Sequence, residues 1–316
     1  MTDRTTLGRI PLIDVLRGVA LLAMTVYHFT WDLEFFGYLV PGTINEPAWV
    51  GFARAIAASF LALVGVSLVL AHGNGIRWRG FWKREAMVVV AALAITAVTY
   101  FAFPESYIFF GILHAIALFS LLGLAFLRLP WWAIALAAVI IFAIDQLVAL
   151  SAFDHWSLLW VGLSPQLPLS NDYVPLFPWF SATLAGMAFA KLAQKLGWWP
   201  TLGTISVPSP VDRPLRFMGR HSLAYYLIHQ PVLLGLLWSF QAVTGPPDRT
   251  SAFTVICNKQ CSITESAEFC EGYCGCIAEE LKKVGLLNNF FTGQLSTTDG
   301  LLVDGVKAQC VAKMGR

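Results

Sequence analysis

The stretch DVLRGVALLAMTVYHFTWD, residues 14–32, decides how the chain is read. Most of it is apolar enough for a lipid bilayer, yet it carries Asp14, Arg17, His28 and Asp32. At 3.6 residues per turn each residue advances about 100° around a helix. With His28 as origin, Arg17 falls about 20° to one side, and Asp14 and Asp32 fall about 40° to the other. The four ionisable groups therefore share a stripe roughly 60° wide, while Leu21, Leu22, Val26 and Phe29 cover the remainder. A lone Arg or Asp at mid-bilayer costs at least about 2.5–3.5 kcal/mol on insertion scales. The stripe is therefore expected to face the protein interior or a water-filled cavity. Asp14 and Arg17, three residues apart, can pair. His28 lies about 16 Å further along the helix. Asp32 follows one turn later, where a carboxylate can hold the imidazole in one tautomer and raise its basicity. The bland alternative has Arg17 and Asp14 reaching to the headgroups and His28 serving as a packing residue.

Composition extends this reading to the whole chain. Its 316 residues are 57% hydrophobic and 13% charged, with a mean hydropathy of +0.66. A soluble domain is nearer 25% charged, so we expect an all-α, polytopic membrane protein. A net charge of +2, with basic residues scattered between apolar spans, argues against a nucleic-acid partner. On a ruler of about 20 apolar residues per bilayer crossing, seven spans are expected: 12–38, 48–71, 86–103, 107–127, 131–150, 175–195 and 221–243. The first apolar stretch runs past signal-peptide length without a small-residue cleavage site, so it reads as a retained helix. The Trp-rich, Pro-broken segment 151–174 reads as an interfacial or re-entrant loop, and 196–220 as a polar linker. Arg4, Arg9, Arg77, Arg79, Lys83, Arg84, Arg128, Lys191, Lys195, Arg213, Arg216 and Arg220 all fall on one side of this topology. The opposite loops 39–47, 104–106 and 151–174 contain no Lys or Arg. That asymmetry places the N-terminus in the cytoplasm. An odd number of spans then puts residues 244–316 outside.

All six cysteines, Cys257, Cys261, Cys270, Cys274, Cys276 and Cys310, lie in this last segment. An even count on an oxidising side favours disulfides over a zinc site, and the tail holds no His to help ligate a metal. We therefore expect a membrane domain over 1–243 and a small, helical, Cys-rich extracytoplasmic tail over 244–316. The pairing of the cysteines stays open.

With these residues in view, IDVLRGVALLAMTVYH (13–28) resembles the first helix of the transmembrane acyltransferase superfamily. The shared pattern is Asp, two residues, Arg, ten residues and His, here Asp14, Arg17 and His28, with Gly18 and Ala20 as small residues after the Arg. HFTWDLEFFGY (28–38), FFGILHAIALFSLL (109–122), DYVPLFPWF (172–180) and GRHSLAYYLIHQPVL (219–233) resemble, more narrowly, bacterial members of the heparan-alpha-glucosaminide N-acetyltransferase catalytic-domain-like family. The resemblance covers about 10–240, and the tail lies outside it. It implies transfer of an acyl group, usually acetyl from acetyl-CoA on the cytoplasmic side, to a sugar or glycan on the far side. Acetyl-CoA would then be a co-substrate, with no metal. His28 becomes the candidate base or transient acyl carrier, oriented by Asp32, and Arg17 the group that pairs with a CoA phosphate or polarises the thioester.

Other candidates lie outside the first span. His114 is at a depth comparable to His28 and could serve the acceptor, or could be a core histidine bonded to a carbonyl. Asp172 and Tyr173, with Trp156, Trp160 and Trp179, are the residue types that cradle a sugar, although the tryptophans alone would pass for an interfacial belt. Arg216, Arg220 and His221 form a basic rim for CoA phosphates, or simply the charge signature of the cytoplasmic side. His229 precedes Pro231, whose helix break frees carbonyls beside a cavity. A second copy of the chain is a further candidate partner. The alternative function is a transporter or proton-linked carrier, because intramembrane Asp/Arg/His stripes also relay protons. Against it stands the lack of any inverted repeat between the halves.

Overall fold

The computed structural model describes residues 10–73, 75–205, 209–292 and 295–315. Arg4 and Arg9 lie outside them. The described residues are mainly helical and contain no strand, only one isolated bridge between Phe110 and Tyr173. In order, the helices are α1 (Pro11–Phe35), α2 (Pro47–His72), α3 (Trp78–Ala102), α4 (Ile112–Phe126), α5 (Trp131–Leu147), α6 (Leu176–Lys195), α7 (Trp198–Thr204), α8 (Ser209–Arg220) and α9 (Ser222–Thr244). The tail adds α10 (Thr250–Cys261), α11 (Ala267–Lys283), α12 (Leu287–Thr292) and α13 (Thr297–Lys313). Among the described residues, five helices, α1, α2, α3, α6 and α9, are long and apolar enough to cross a membrane, and α4 and α5 are shorter apolar helices. These seven occupy the seven expected spans, and the chain is a multi-pass membrane protein.

Two differences from the sequence reading have simple physical reasons. First, α3 starts at Trp78, eight residues before the expected span. Its first turns carry Arg79, Lys83, Arg84 and Glu85, which a hydropathy window rejects but which are good helix formers. Second, the stretch 196–220 is not a plain linker, because it contains α7 and α8. Its Pro and Arg content hides a helix that tertiary packing stabilises. Leu215 is buried while Val211, Arg213 and Phe217 are exposed.

The chain divides into two compact units, Met1–Thr25 with Gly51–His229, and Val26–Val50 with Gln230–Arg316. The first unit is built around α2, α4 and α6. Leu61, Leu68, Phe119, Phe180, Leu184 and Met187 form its core, and the start of α9 packs through Leu223, Tyr226 and Leu227 on Ala91, Ala92 and Leu113. The helices approach closely because small residues meet backbone. A Cβ on Gly65 would sit 2.0 Å from the Thr183 carbonyl oxygen, and one on Gly186 would sit 2.1 Å from that of Ala62. Such crossings replace hydrophobic driving force with close packing inside a bilayer. The same device joins α1 to α8: a Cβ on Gly18 would lie 2.2 Å from the Leu215 oxygen, and one on Gly219 would lie 1.9 Å from the Asp14 oxygen.

Fifteen residues of α4 span only about 22 Å, short of the roughly 30 Å hydrocarbon core. The non-helical backbone that precedes it is satisfied within the protein. Asn171 N–H donates to the Ser106 carbonyl at 2.9 Å and Val174 N–H to that of Phe110 at 3.0 Å. Irregular backbone at membrane depth survives only under such internal pairing.

In the second unit, α1 ends through bonds from Tyr38 N–H to the Leu33 oxygen and from Gly37 N–H to the Glu34 oxygen. Gly37 has φ +85°, the left-handed conformation that closes such an end without penalty. Arg249 donates to the Phe36 carbonyl and fills the space over Gly37. The tail is a disulfide-held helical cluster around Phe253, Ile277, Leu281, Leu286 and Val303. Cys257 and Cys261 stand one turn apart on α10 and bond to Cys274 and Cys270, one turn apart on α11, as two rungs of an antiparallel helix pair. Cys276, two residues beyond Cys274, faces about 200° away. It ties α13 through Cys310 instead.

If the α1–α8 crossing holds the first unit together, Gly219→Ala should force the two backbones apart. Overpacking of this kind costs about 1–3 kcal/mol. Thermal unfolding of the full chain in detergent should show a clear drop in Tm, whereas Gly235→Ala, with open space around its Cβ position, should not.

Candidate active site

In the first unit, the Asp14–Arg17 end of the stripe is a charge cluster. Asp14 is 2% exposed and its two carboxylate oxygens face two guanidiniums, Arg17 at 3.6 Å and Arg220 at 3.6 Å. Arg17 also donates to Ser67 Oγ, which itself donates to the Leu63 carbonyl. The buried carboxylate thus lies between two arginines. The Gly18 and Gly219 crossing makes this possible, because only backbone contact between α1 and α8 brings Arg220 to Asp14. Arg216 is engaged elsewhere, in an ion pair with Asp212 on its own helix. His221 donates from Nδ1 to the Phe217 carbonyl at 3.0 Å.

In the second unit, His28 and Asp32 are joined by a side chain from α9. His28 Nδ1 lies 2.8 Å from Gln230 Oε1, and Gln230 Nε2 donates to Asp32 Oδ1 at 2.6 Å. A carboxylate only accepts hydrogen bonds, so the amide must turn its NH2 toward Asp32. Its carbonyl oxygen is then left for the imidazole. A carbonyl oxygen also only accepts, so the proton sits on Nδ1 and the lone pair on Nε2. Asp32 is completely buried, and its Oδ2 makes no hydrogen bond among the described residues. The carboxylate therefore acts on the ring through an amide, where the sequence alone points to direct contact. On the opposite side of α1, Leu16, Val19, Leu22, Val26 and Phe29 are exposed, at the spacing of a lipid-facing stripe.

The remaining sequence candidates gather at the start of α4. Asp172 Oδ2 accepts the Ile112 N–H at 2.8 Å, satisfying one of the orphan donors of the helix end. A Cβ on Gly111 would meet that carboxylate at 2.3 Å, so glycine is needed there. Burial, opposed by the Ile112 bond, pushes the Asp172 carboxyl up to about 6. His114 Nδ1 accepts the Gly111 N–H at 3.3 Å, and its Nε2 lies 3.1 Å from Thr96 Oγ1. Because Thr96 gives its hydroxyl proton to the Ile108 carbonyl at 2.7 Å, the imidazole is neutral and donates from Nε2. Tyr173 donates to the Leu159 carbonyl at 2.6 Å, and burial pushes its phenol up to about 12. Trp160 stands beside Phe110, ring centres 6.2 Å apart. Trp179 packs on the core, while Trp156 is exposed next to His155. His114, Asp172, Tyr173 and Trp160 are thus brought together around the start of α4, and Trp179 packs on the same core as Phe110.

The profile of the heparan-alpha-glucosaminide N-acetyltransferase catalytic family matches residues 9–231. The chain belongs to this family. Neither the curated proteins nor the solved structures hold a significant match to it. Its family places it among membrane acetyltransferases, and the match includes Asp14, Arg17, His28, Asp32, His114, Asp172 and Gln230 while excluding the tail.

Sequence reasoning missed Gln230, Ser67 and the Gly219 contact. Gln230 carried a readable signal: it is an amide inside an apolar span, between His229 and Pro231. Its partner was not readable, since 198 residues separate it from Asp32. His229 donates from Nδ1 to the Tyr226 carbonyl at 2.7 Å, one of the carbonyls near the proline.

Because the folded state of Asp172 holds its proton up to about pH 6, while an unfolded Asp releases it near 3.9, the folded chain binds more protons across that interval. Its contribution to stability is present below about pH 4 and lost as pH rises toward 6. Tm measured from about pH 4 to just above pH 6 should fall with rising pH, and Asp172→Asn should flatten that slope.

Proposed function

We propose that the chain transfers an acetyl group from cytoplasmic acetyl-CoA to an amine or hydroxyl of a sugar or glycan on the outer side of a bacterial inner membrane. The observation that carries this reading is the hydrogen-bonded line His28–Gln230–Asp32, which joins two predominantly apolar helices, in a chain of this family. His28 Nε2 takes a proton from the acceptor as its nitrogen or oxygen bonds to the acetyl carbon. The carbon–sulfur bond breaks, and the CoA thiolate leaves and recovers that proton as the free thiol. The imidazolium formed on the way is stabilised through Gln230, whose amide transmits the Asp32 charge to Nδ1. Arg17 and Arg220 bind the anionic part of the donor, since guanidiniums form strong charge-assisted hydrogen bonds with phosphate. Arg216, which also pairs with Asp212, and His221 extend that donor-binding group. His114, Asp172, Tyr173 and Trp179 belong on the acceptor side in this reading, with Asp172 setting the start of α4. The N-terminus lies in the cytoplasm and the cysteine tail outside, where its disulfides persist.

Purified protein in nanodiscs should move label from acetyl-CoA to a glucosaminide. His28→Ala should lower transfer by about 10²–10⁴-fold, the usual share of a general base. Gln230→Leu should lower kcat by about tenfold to a hundredfold, the loss expected from misorienting a reacting group, with little change in KM for acetyl-CoA. Transfer that is equal in wild type and His28→Ala, with both folded, would overturn the reading.

A further inference from the structure

Away from the residues discussed so far, the first unit holds a cleft of about 400 Å³ lined by Gly73, Pro130, Trp131, Trp132, Lys191, Gln194 and Lys195. It lies where the end of α2, the α4–α5 turn, the start of α5 and the end of α6 come together. The volume falls within the range of ligand sites. Three features give it a chemical preference. Lys191 and Lys195 stand one turn apart on α6, an arrangement in which like charges repel. No carboxylate lines the cleft among the described residues. Lys191 does not reach away into solvent, because its Nζ donates to the Leu129 carbonyl at 2.6 Å and is thereby held beside the α4–α5 turn. Two indoles complete the rim, and Trp132 is largely exposed. Indoles sit by preference at the level of lipid headgroups.

We propose that this cleft binds the phosphodiester headgroup of an anionic glycerophospholipid from the cytoplasmic leaflet, with Lys191 and Lys195 pairing to the phosphate and Trp131 and Trp132 flanking the glycerol backbone. A basic pocket between membrane helices on the cytoplasmic side is the kind of site that holds such headgroups. Gln194 adds an amide that can donate to a phosphate oxygen or to a headgroup hydroxyl. The ligand would bridge the turn after α4 and the end of α6, relieving the repulsion between the two lysines.

The test uses the full chain in detergent, titrated with phosphatidylglycerol or phosphatidylcholine and read by native mass spectrometry. Phosphatidylglycerol should bind in preference to phosphatidylcholine, and occupancy should fall as salt rises. Each cation near a membrane surface contributes about 1 kcal/mol, so Lys195→Gln should weaken phosphatidylglycerol binding about fivefold. Lys191→Gln should weaken it at least as much. Since Lys191 also braces Leu129, the exposed Lys195 provides the variant that leaves the fold intact. Lys259→Gln, in the tail, should change nothing. Equal binding of the two lipids, or unchanged binding in both cleft variants, would overturn the proposal. So would displacement of the lipid by CoA or inorganic phosphate at the concentrations that saturate acetyl transfer, since the cleft would then be a site for soluble phosphates.

Discussion

A charge surrounded by apolar material must find a partner inside the protein, and that constraint organises this chain. Asp14 and Asp32 are both buried on a helix otherwise suited to lipid. Each has recruited a side chain from distant sequence: Arg220 for Asp14 and Gln230 for Asp32. The two solutions differ in chemistry. At Asp14 the partners are cations, which compensate the carboxylate. At Asp32 the partner is a neutral amide, which passes the influence of the carboxylate to an imidazole.

The first solution depends on glycine. Two arginines reach one carboxylate because Gly18 and Gly219 let α1 and α8 touch backbone to backbone. The small residue after Arg17 is therefore part of how Arg220 is brought to the buried carboxylate, as well as of the helix packing. The same logic recurs at Gly65 and Gly186, where α2 and α6 cross, and at Gly111, which leaves room for Asp172 at the start of α4. In each case the missing side chain admits either a carbonyl or a carboxylate.

The second solution accounts for a tautomer. With Asp32 accepting from the amide, Gln230 has only its oxygen left for His28, and the ring is protonated on Nδ1. The order of the groups along the hydrogen-bonded line thus determines which ring nitrogen is basic. His114 has the opposite tautomer for an equally local reason: a backbone N–H faces its Nδ1 and a hydroxyl that has already donated faces its Nε2. Two histidines on apolar helices therefore hold different chemistry, and hydropathy does not distinguish them.

Much of this was legible without coordinates. The 3.6-residue period of α1 placed its four ionisable groups on one stripe, and apolar run lengths located all seven apolar helices, because both signals are local to a single segment. The even cysteine count outside the spans pointed to disulfides for a similarly simple reason. What remained hidden needed two segments at once. The pairing of six cysteines depends on which faces α10 and α11 turn to each other. The helix α8 forms in a Pro- and Arg-rich stretch because α1 packs against it through Gly219. The link from Asp32 to His28 runs through a residue about two hundred positions away. Sequence by itself determined which groups had to be kept from lipid, since that follows from the cost of an unpaired charge. Only the tertiary structure decided what they are paired with, since a hydrogen bond depends on positions a few ångströms apart that chain order does not encode.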